Sequence, residues 1–137
     1  MQPLTHAKMI SLHDPTPVKL PKKYVERIVG EAKSAILILK PQSQIVRLIP
    51  TQNQTGIKIV FDIVKFSPEF FLEFNRILAR HQISALHVTG LCFTSDSCIY
   101  EGFFDLKELP VSKTQLIEEL TEIQGVGKVE INQVDSI

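Results

Sequence analysis

The sequence predicts an α+β fold, in which four strands and two helices follow one another in the order β-α-β-β-α-β over residues 57–137. Two observations carry this prediction. Some segments alternate apolar and polar residues, as half-buried strands do, and others repeat apolar residues every three or four positions, as amphipathic helices do. At 137 residues and 44% hydrophobic composition, the chain can bury a core without metal or disulfides.

Residues 1–56 form a predicted N-terminal extension to this domain. Residues 1–22 are expected to be irregular, because three prolines fix the backbone angles and remove hydrogen-bond donors near their end. A helix is predicted at about 22–34 from apolar residues at helical spacing, and a strand at about 44–50. A polar turn then leads into the domain.

The first half of the domain has a strand, a helix start and a helix. Residues 57–64 alternate as a strand does. Ser67 is a natural N-cap, Pro68 fits the first helical position, and Glu69 places a carboxylate in the first turn, where the helix dipole favours it. One helical stripe then follows, made of Phe70, Phe71, Phe74, Ile77, Leu78 and His81.

The second half begins with a predicted hairpin. Residues 85–93 and 98–106 are strand-like, and the turn-forming residues TSDS lie between them. Ser112 and Gln115 form a capping box at the start of the next helix, and residues 128–134 form the last strand. The apolar stripe of that helix is Leu116, Ile117, Leu120 and Ile123.

This order of elements is that of the ferredoxin-like split β-α-β arrangement, a four-stranded antiparallel sheet with both helices on one face. The other face is too apolar to lie in water. Val60 and Val64 alternate away from the inward set, and Phe103 and Phe104 must point to opposite faces. We therefore expect the N-terminal segment, a second subunit, or both to cover that face.

The two cysteines are expected to remain free thiols. With TSDS as a four-residue loop, Phe93 lies opposite Cys98 and Cys92 opposite Ile99, so the two sulfurs point to opposite faces of the sheet. A disulfide between them would need a shift in the strand register. Free thiols fit a reducing compartment. No apolar run approaches the roughly 20 residues of a membrane span, and the N-terminus lacks the apolar segment of a signal peptide. A cytoplasmic protein is expected.

Charge and motifs disfavour several function classes. Lys plus Arg and Asp plus Glu each number 15, so direct nucleic-acid binding is not expected. No nucleophile, base and oxyanion donor can be named together, so we expect no catalytic residues and no cofactor. His87 and Cys92 point to opposite faces of a regular strand, and no metal site is predicted. A metal-responsive sensor using either residue with a partner subunit remains a minor alternative.

Two segments resemble the ACT domain family over about residues 57–136. The segment FDIVKFSPEFFLEFNRILARHQIS is similar to the first half of such a domain, and LIEELTEIQGVGKVEI to its second half, which typically reads Leu-x-x-Ile-x-Gly-Val-x-x-Val. The resemblance implies a non-catalytic regulatory module that binds an amino acid or other small metabolite. It also implies a dimer or larger homo-oligomer with sheets that merge across subunits, and a regulated protein partner.

The resemblance also places the ligand site. The implied site consists of the loop after the first strand together with the start of the second strand, across a subunit interface. In this sequence the residues of that site are Phe66, Ser67, Pro68, Glu69, Phe70 and Ser84. Exposed N–H groups at a helix N-terminus attract a carboxylate.

This chain departs from the family pattern at two of these positions. Glu69 stands where the family usually has glycine, and Phe66 where amino-acid binders often have a polar residue. Glu69 would compete with a ligand carboxylate for the same N–H groups, or would recognise a ligand amine. The alternative function is therefore a ligand-free oligomerisation or interaction module, in which Phe66 and Glu69 close the site.

Overall fold

The computed structural model describes residues 4–11 and 22–136. Over these residues the protein has a mixed α+β fold with two antiparallel sheets and three helices. The elements are β1 (His6–Ser11), α1 (Lys22–Val29), β2 (Ser34–Lys40), β3 (Ile45–Thr51), β4 (Gly56–Ile63), α2 (Glu69–Arg80), β5 (Ala85–Thr94), β6 (Ser97–Phe104), α3 (Lys113–Thr121) and β7 (Val126–Val134).

The N-terminal part forms a three-stranded sheet in the order β1-β2-β3. The expectation of an irregular segment over residues 1–22 was wrong for residues 6–11, which form β1 and pair with residues 34–39 of β2. The proline-rich segment expected to be an extended connector lies outside the described residues. The predicted helix at 22–34 is shorter and ends at Val29, since Gly30 adopts a positive φ of 56° and β2 begins at Ser34. The strand predicted at 44–50 occupies residues 45–51.

The C-terminal part forms a four-stranded sheet in the order β5-β6-β4-β7, with every neighbouring pair antiparallel. The alternation predicted in β4 is confirmed, since its buried set faces both helices. Phe61, for example, packs edge-on against Phe70 and Phe74 of α2. Leu116 and Leu120 of α3 belong to the same core. Both helices therefore cover one face of the sheet.

The first sheet covers part of the other face. A second core forms between the two sheets, made of Met9, Ile36, Ile38, Phe103 and Val134. Phe104 lies in the helix-side core. Phe103 and Phe104 therefore point to opposite faces of the sheet, as strand alternation predicted. The expectation that the N-terminal segment covers the apolar face is confirmed for the part of that face around Phe103.

Hydrogen bonds fix the two sheets to each other at two places. The carboxylate of Asp105, just after β6, accepts hydrogen bonds from the backbone N–H groups of Gln52 at 2.8 Å and Asn53 at 3.1 Å, in the connection between the sheets. Elsewhere, the N–H of Met9 donates to the carbonyl of Asp135 at 2.8 Å, so β1 also contacts the chain just after β7. The connection between the sheets is therefore a fixed turn.

The prediction of two free thiols was wrong. Cys92 and Cys98 form a disulfide with an S–S distance of 2.02 Å. The turn contains two residues, Ser95 and Asp96, because Thr94 pairs with Ser97. The register then shifts at Phe93 and places Cys92 directly opposite Cys98. Because both cysteines are in the disulfide, no free thiol indicates a reducing compartment.

Candidate functional site

The loop between β4 and α2, together with the first turn of α2, holds five of the six residues that the resemblance implies. The N–H of Phe70 donates to the carbonyl of Ser67 at 3.0 Å, and the N–H of Glu69 reaches the Ser67 hydroxyl at 3.4 Å. Pro68 already has helical angles, with φ −57° and ψ −28°. The regular helix begins at Glu69 with Pro68 as its N-cap, so the prediction of Ser67 as the N-cap and Pro68 as the first helical residue was one position early.

Glu69 occupies the helix N-terminus with its own carboxylate. The Ser67 hydroxyl donates a hydrogen bond to that carboxylate. This hydrogen bond, followed by one from the backbone N–H of Glu69, lowers the pKa of Glu69 below its usual value. The ionised side chain takes the place that a ligand carboxylate would occupy in the implied site.

Phe66 and Phe70 belong to an aromatic cluster with Phe71 and Tyr100. The rings of Phe66 and Tyr100 stack with centroids 6.0 Å apart, and Phe71 meets the Tyr100 ring edge-on at 5.2 Å. Phe70 is 1% exposed, so its side chain serves the core and offers no surface to a ligand. Phe66 keeps more than a third of its surface in solvent. Of the loop aromatics, Phe66 is the one placed to meet a ligand or a partner.

Ser84 lies away from the loop within one chain. It is exposed and follows the C-terminal end of α2, whose 12 residues span about 18 Å. The loop is at the other end of that helix. The structure therefore brings Phe66 to Phe70 together and leaves Ser84 apart, so a site using all six residues requires a second copy of the chain.

Tyr100 was not identified from the sequence, although one signal was present. A Cβ built on Gly90 would lie 2.2 Å from Cε1 of Tyr100, so the ring rests on the bare backbone of β5. A glycine in the middle of a strand often marks such a close approach. The aromatic cluster thereby extends from the loop to the outer strand of the sheet.

That outer strand, β5, is an unusually unprotected edge. Sheet edges normally carry charged residues or proline, which discourage pairing with another strand. The edge strand β3 contains Arg47 and Pro50, and the edge strand β7 contains Lys128 and Glu130. The ten residues of β5, ALHVTGLCFT, include neither a charge nor a proline. Register shifts interrupt β5 near its two ends and leave its middle regular.

Other site types find little support in the described residues. Over residues 4–11 and 22–136, no three His, Cys, Asp or Glu side chains are grouped to hold a metal ion. Cys92 is in the disulfide, so it has no thiolate to offer a metal, which removes one of the two residues named for a metal-responsive sensor. No helix in the described part of the chain has the length and apolar character needed to cross a membrane.

Comparison with known proteins does not assign the chain to a family. No protein-family model matches the sequence, and no curated protein matches it. The resemblance to ACT domains therefore rests on the two segments quoted above, and function must be argued from the geometry.

Proposed function

We propose that the chain is a non-catalytic regulatory protein that self-associates through an ACT-like domain and acts on a partner protein. The domain is of the ferredoxin-like type and covers about residues 57–137. Its support is the order β4-α2-β5-β6-α3-β7 together with the sheet order β5-β6-β4-β7. In this arrangement the two strands of each strand-helix-strand unit are not neighbours, because one strand of the other unit lies between them.

The unprotected edge of β5 carries the proposal of self-association. A second copy can add its own β5 antiparallel to the first and satisfy the outward N–H and C=O groups of both strands. Val88 is 37% exposed on this edge, and Phe93 is more exposed still. Two-fold pairing brings the same apolar residues of both copies together, which suits an isologous interface.

Two versions of this function differ in whether a ligand controls the assembly. In the first, a small metabolite such as an amino acid binds between the loop at Phe66 and Ser84 of a second copy. It then shifts the balance of assembly states by its differential affinity for them. In the second, the domain is a ligand-free interaction module. The hydrogen bond between Ser67 and Glu69 favours the second version, because the helix N-terminus already has its own anion.

The test measures the oligomeric state by light scattering at tens of micromolar. We expect a dimer or larger species, and Val88→Lys should shift it towards monomer because paired edges would bring two ammonium groups together. The matched control is Val46→Lys, at a residue that is 61% exposed on the edge strand β3 and should leave assembly unchanged. A monomeric wild-type protein would refute the proposed function.

A thermal-shift screen then separates the two versions. A ligand that binds only the folded state raises the melting temperature. A rise with an amino acid at millimolar concentration, lost in Phe66→Ala, would support the metabolite sensor. No rise with any amino acid, for a protein that self-associates, would support the ligand-free module.

A further inference from the structure

A separate group of polar and cationic side chains lies where the first sheet crosses β5. The ammonium of Lys40, at the end of β2, donates a hydrogen bond to the hydroxyl of Thr89 on β5 at 3.2 Å. This contact links the two sheets beyond the apolar core between them. It also fixes the position of the Lys40 ammonium in a partly buried place.

The strand register brings Arg47 to the same face of the first sheet. Arg47 pairs with Ile38, whose buried side chain packs between the sheets. Lys40 is two residues from Ile38, so it shares that face. Lys40 and Arg47 therefore both lie on the side of the first sheet that faces the second.

His87 completes the group from the opposite sheet. It is two residues from Thr89 on β5, so both point to the same side of the second sheet. The His87 ring stacks on Phe103, with centroids 6.4 Å apart, at the margin of the core between the sheets. Burial lowers the pKa of His87 most, and the nearby charges of Arg47 and then Lys40 lower that pKa further. Three basic side chains thus lie within electrostatic reach of one another.

The described residues supply no carboxylate to neutralise this group. Over residues 4–11 and 22–136, neither Lys40 nor Arg47 makes a salt bridge. Glu101 lies opposite Thr89 on β6, but its carboxylate is taken up by the backbone N–H of Leu4, the Thr5 hydroxyl and the Lys58 ammonium. The cationic group therefore keeps a net positive charge, with Lys40 and His87 partly buried and Arg47 exposed, and this charge favours an anion.

We propose that Lys40, Arg47, His87 and Thr89 form a binding site for a phosphate group. A guanidinium, an ammonium, an imidazole and a hydroxyl together offer more donors than the two oxygens of a carboxylate can accept. A phosphate has three terminal oxygens and a charge between about −1.5 and −2 at neutral pH, and it pairs well with arginine. The site is distinct from the loop at Phe66 and does not depend on self-association.

Binding at this site changes the charge of His87. A phosphate dianion beside the imidazole stabilises the protonated ring, so the pKa of His87 rises when phosphate is bound. By linkage, the phosphate dianion binds more tightly to the protein whose His87 is protonated. Because the dianion itself takes up a proton at a pH near 6, the pKa of His87, and not the pH dependence of the affinity, is the quantity to measure. The other charged groups near His87 are Lys40 and Arg47 of the first sheet and Glu101 of β6, whose carboxylate is already held by its own partners.

The test is a proton NMR titration of the His87 ring against pH, with and without millimolar inorganic phosphate, at constant ionic strength set by sodium chloride. His87→Gln assigns the resonance among the four histidines. We expect the pKa of His87 to rise in phosphate, with saturation. Arg47→Gln and Lys40→Gln should each weaken phosphate binding about tenfold. The matched control, Arg27→Gln on α1, removes one exposed arginine and should leave binding unchanged.

The wild-type titration alone decides the proposal if a variant fails to fold. A His87 pKa that does not move in saturating phosphate would overturn the site. An equal response in the Arg47→Gln and Arg27→Gln proteins would overturn the role of Arg47 and reduce the effect to overall charge. Acetate at the same concentration should bind more weakly, and an equal affinity for acetate would overturn the assignment to phosphate.

Discussion

Among the residues that the structure describes, Glu101 is the charged residue that is fully buried. It is 0% exposed and accepts hydrogen bonds from the N–H of Leu4 at 2.9 Å and from the Thr5 hydroxyl. The Lys58 ammonium lies 3.5 Å away, on a side chain that is 15% exposed, and also donates to the Thr5 carbonyl at 3.0 Å. Glu101 thereby fastens the start of the described chain to the sheet face opposite the helices.

We expect Glu101→Ala to destabilise the protein by about 3 kcal/mol. Removing one partner of a buried ion pair costs about 3–5 kcal/mol, since the other charge stays without a counter-ion. The lower end applies here because Lys58 is partly exposed and keeps its bond to Thr5. Glu101→Gln retains an acceptor of similar shape, so its loss should be about 1–2 kcal/mol.

Urea unfolding followed by circular dichroism measures both losses as changes in the unfolding free energy. Glu118→Ala is the control, because Glu118 is an exposed carboxylate on α3 and its removal should cost less than about 0.5 kcal/mol. If Glu101→Ala lowered stability by no more than the control, the assignment of Glu101 as a buried anchor would be refuted. Equal losses for Ala and Gln would show that the hydrogen bonds contribute little.

Three further outcomes follow from the described contacts. Gly125→Ala should cost about 2–3 kcal/mol, because a Cβ there would lie 2.0 Å from the Lys65 carbonyl and the residue has a φ of 90°; an unchanged urea midpoint would contradict this. Reducing the disulfide with dithiothreitol should lower stability by roughly 2 kcal/mol, given the short loop it closes; two titratable thiols in the air-oxidised protein would contradict the bond itself. A hydrogen bond from His81 lowers the pKa of Glu119. The stabilisation that this bond gives the folded protein is therefore present above the usual carboxyl pKa and is lost as the pH falls through the lowered pKa of Glu119. Glu119→Gln should therefore flatten the acid side of the melting temperature against pH relative to Glu118→Gln, and equal slopes would contradict the assigned cause.

The elements that could be predicted from the sequence are those with long, regular patterns. The alternation in β4 and the helical stripes of α2 and α3 are local signals, and each lies where expected. β1 was missed because six residues next to a proline-rich segment carry little pattern of their own. Its strand conformation depends on pairing with β2, a partner that local sequence does not reveal.

The length of the turn between β5 and β6 determines whether the two cysteines lie opposite each other. The same sequence is compatible with a four-residue loop and with a two-residue turn followed by a register shift. Cys92 lies opposite Ile99 with the first and opposite Cys98 with the second. The loop at Phe66 was named as a candidate site through the resemblance alone, and the competition from Glu69 could be anticipated from its position. The cluster around Lys40 could not be found, because it joins strands of two sheets whose packing is set by tertiary contacts.

The bond between Met9 and Asp135 has a consequence for how the protein folds. The hairpins β2-β3 and β5-β6 join neighbouring segments and can close in about 1–10 μs. Met9 and Asp135 are near opposite ends of the described chain, and contacts between distant segments form slowly because the intervening chain must first be ordered. We expect the meeting of the two sheets to limit the folding rate. Until it occurs, Ile36, Ile38 and Phe103 stay in water, and the protein is most exposed to aggregation.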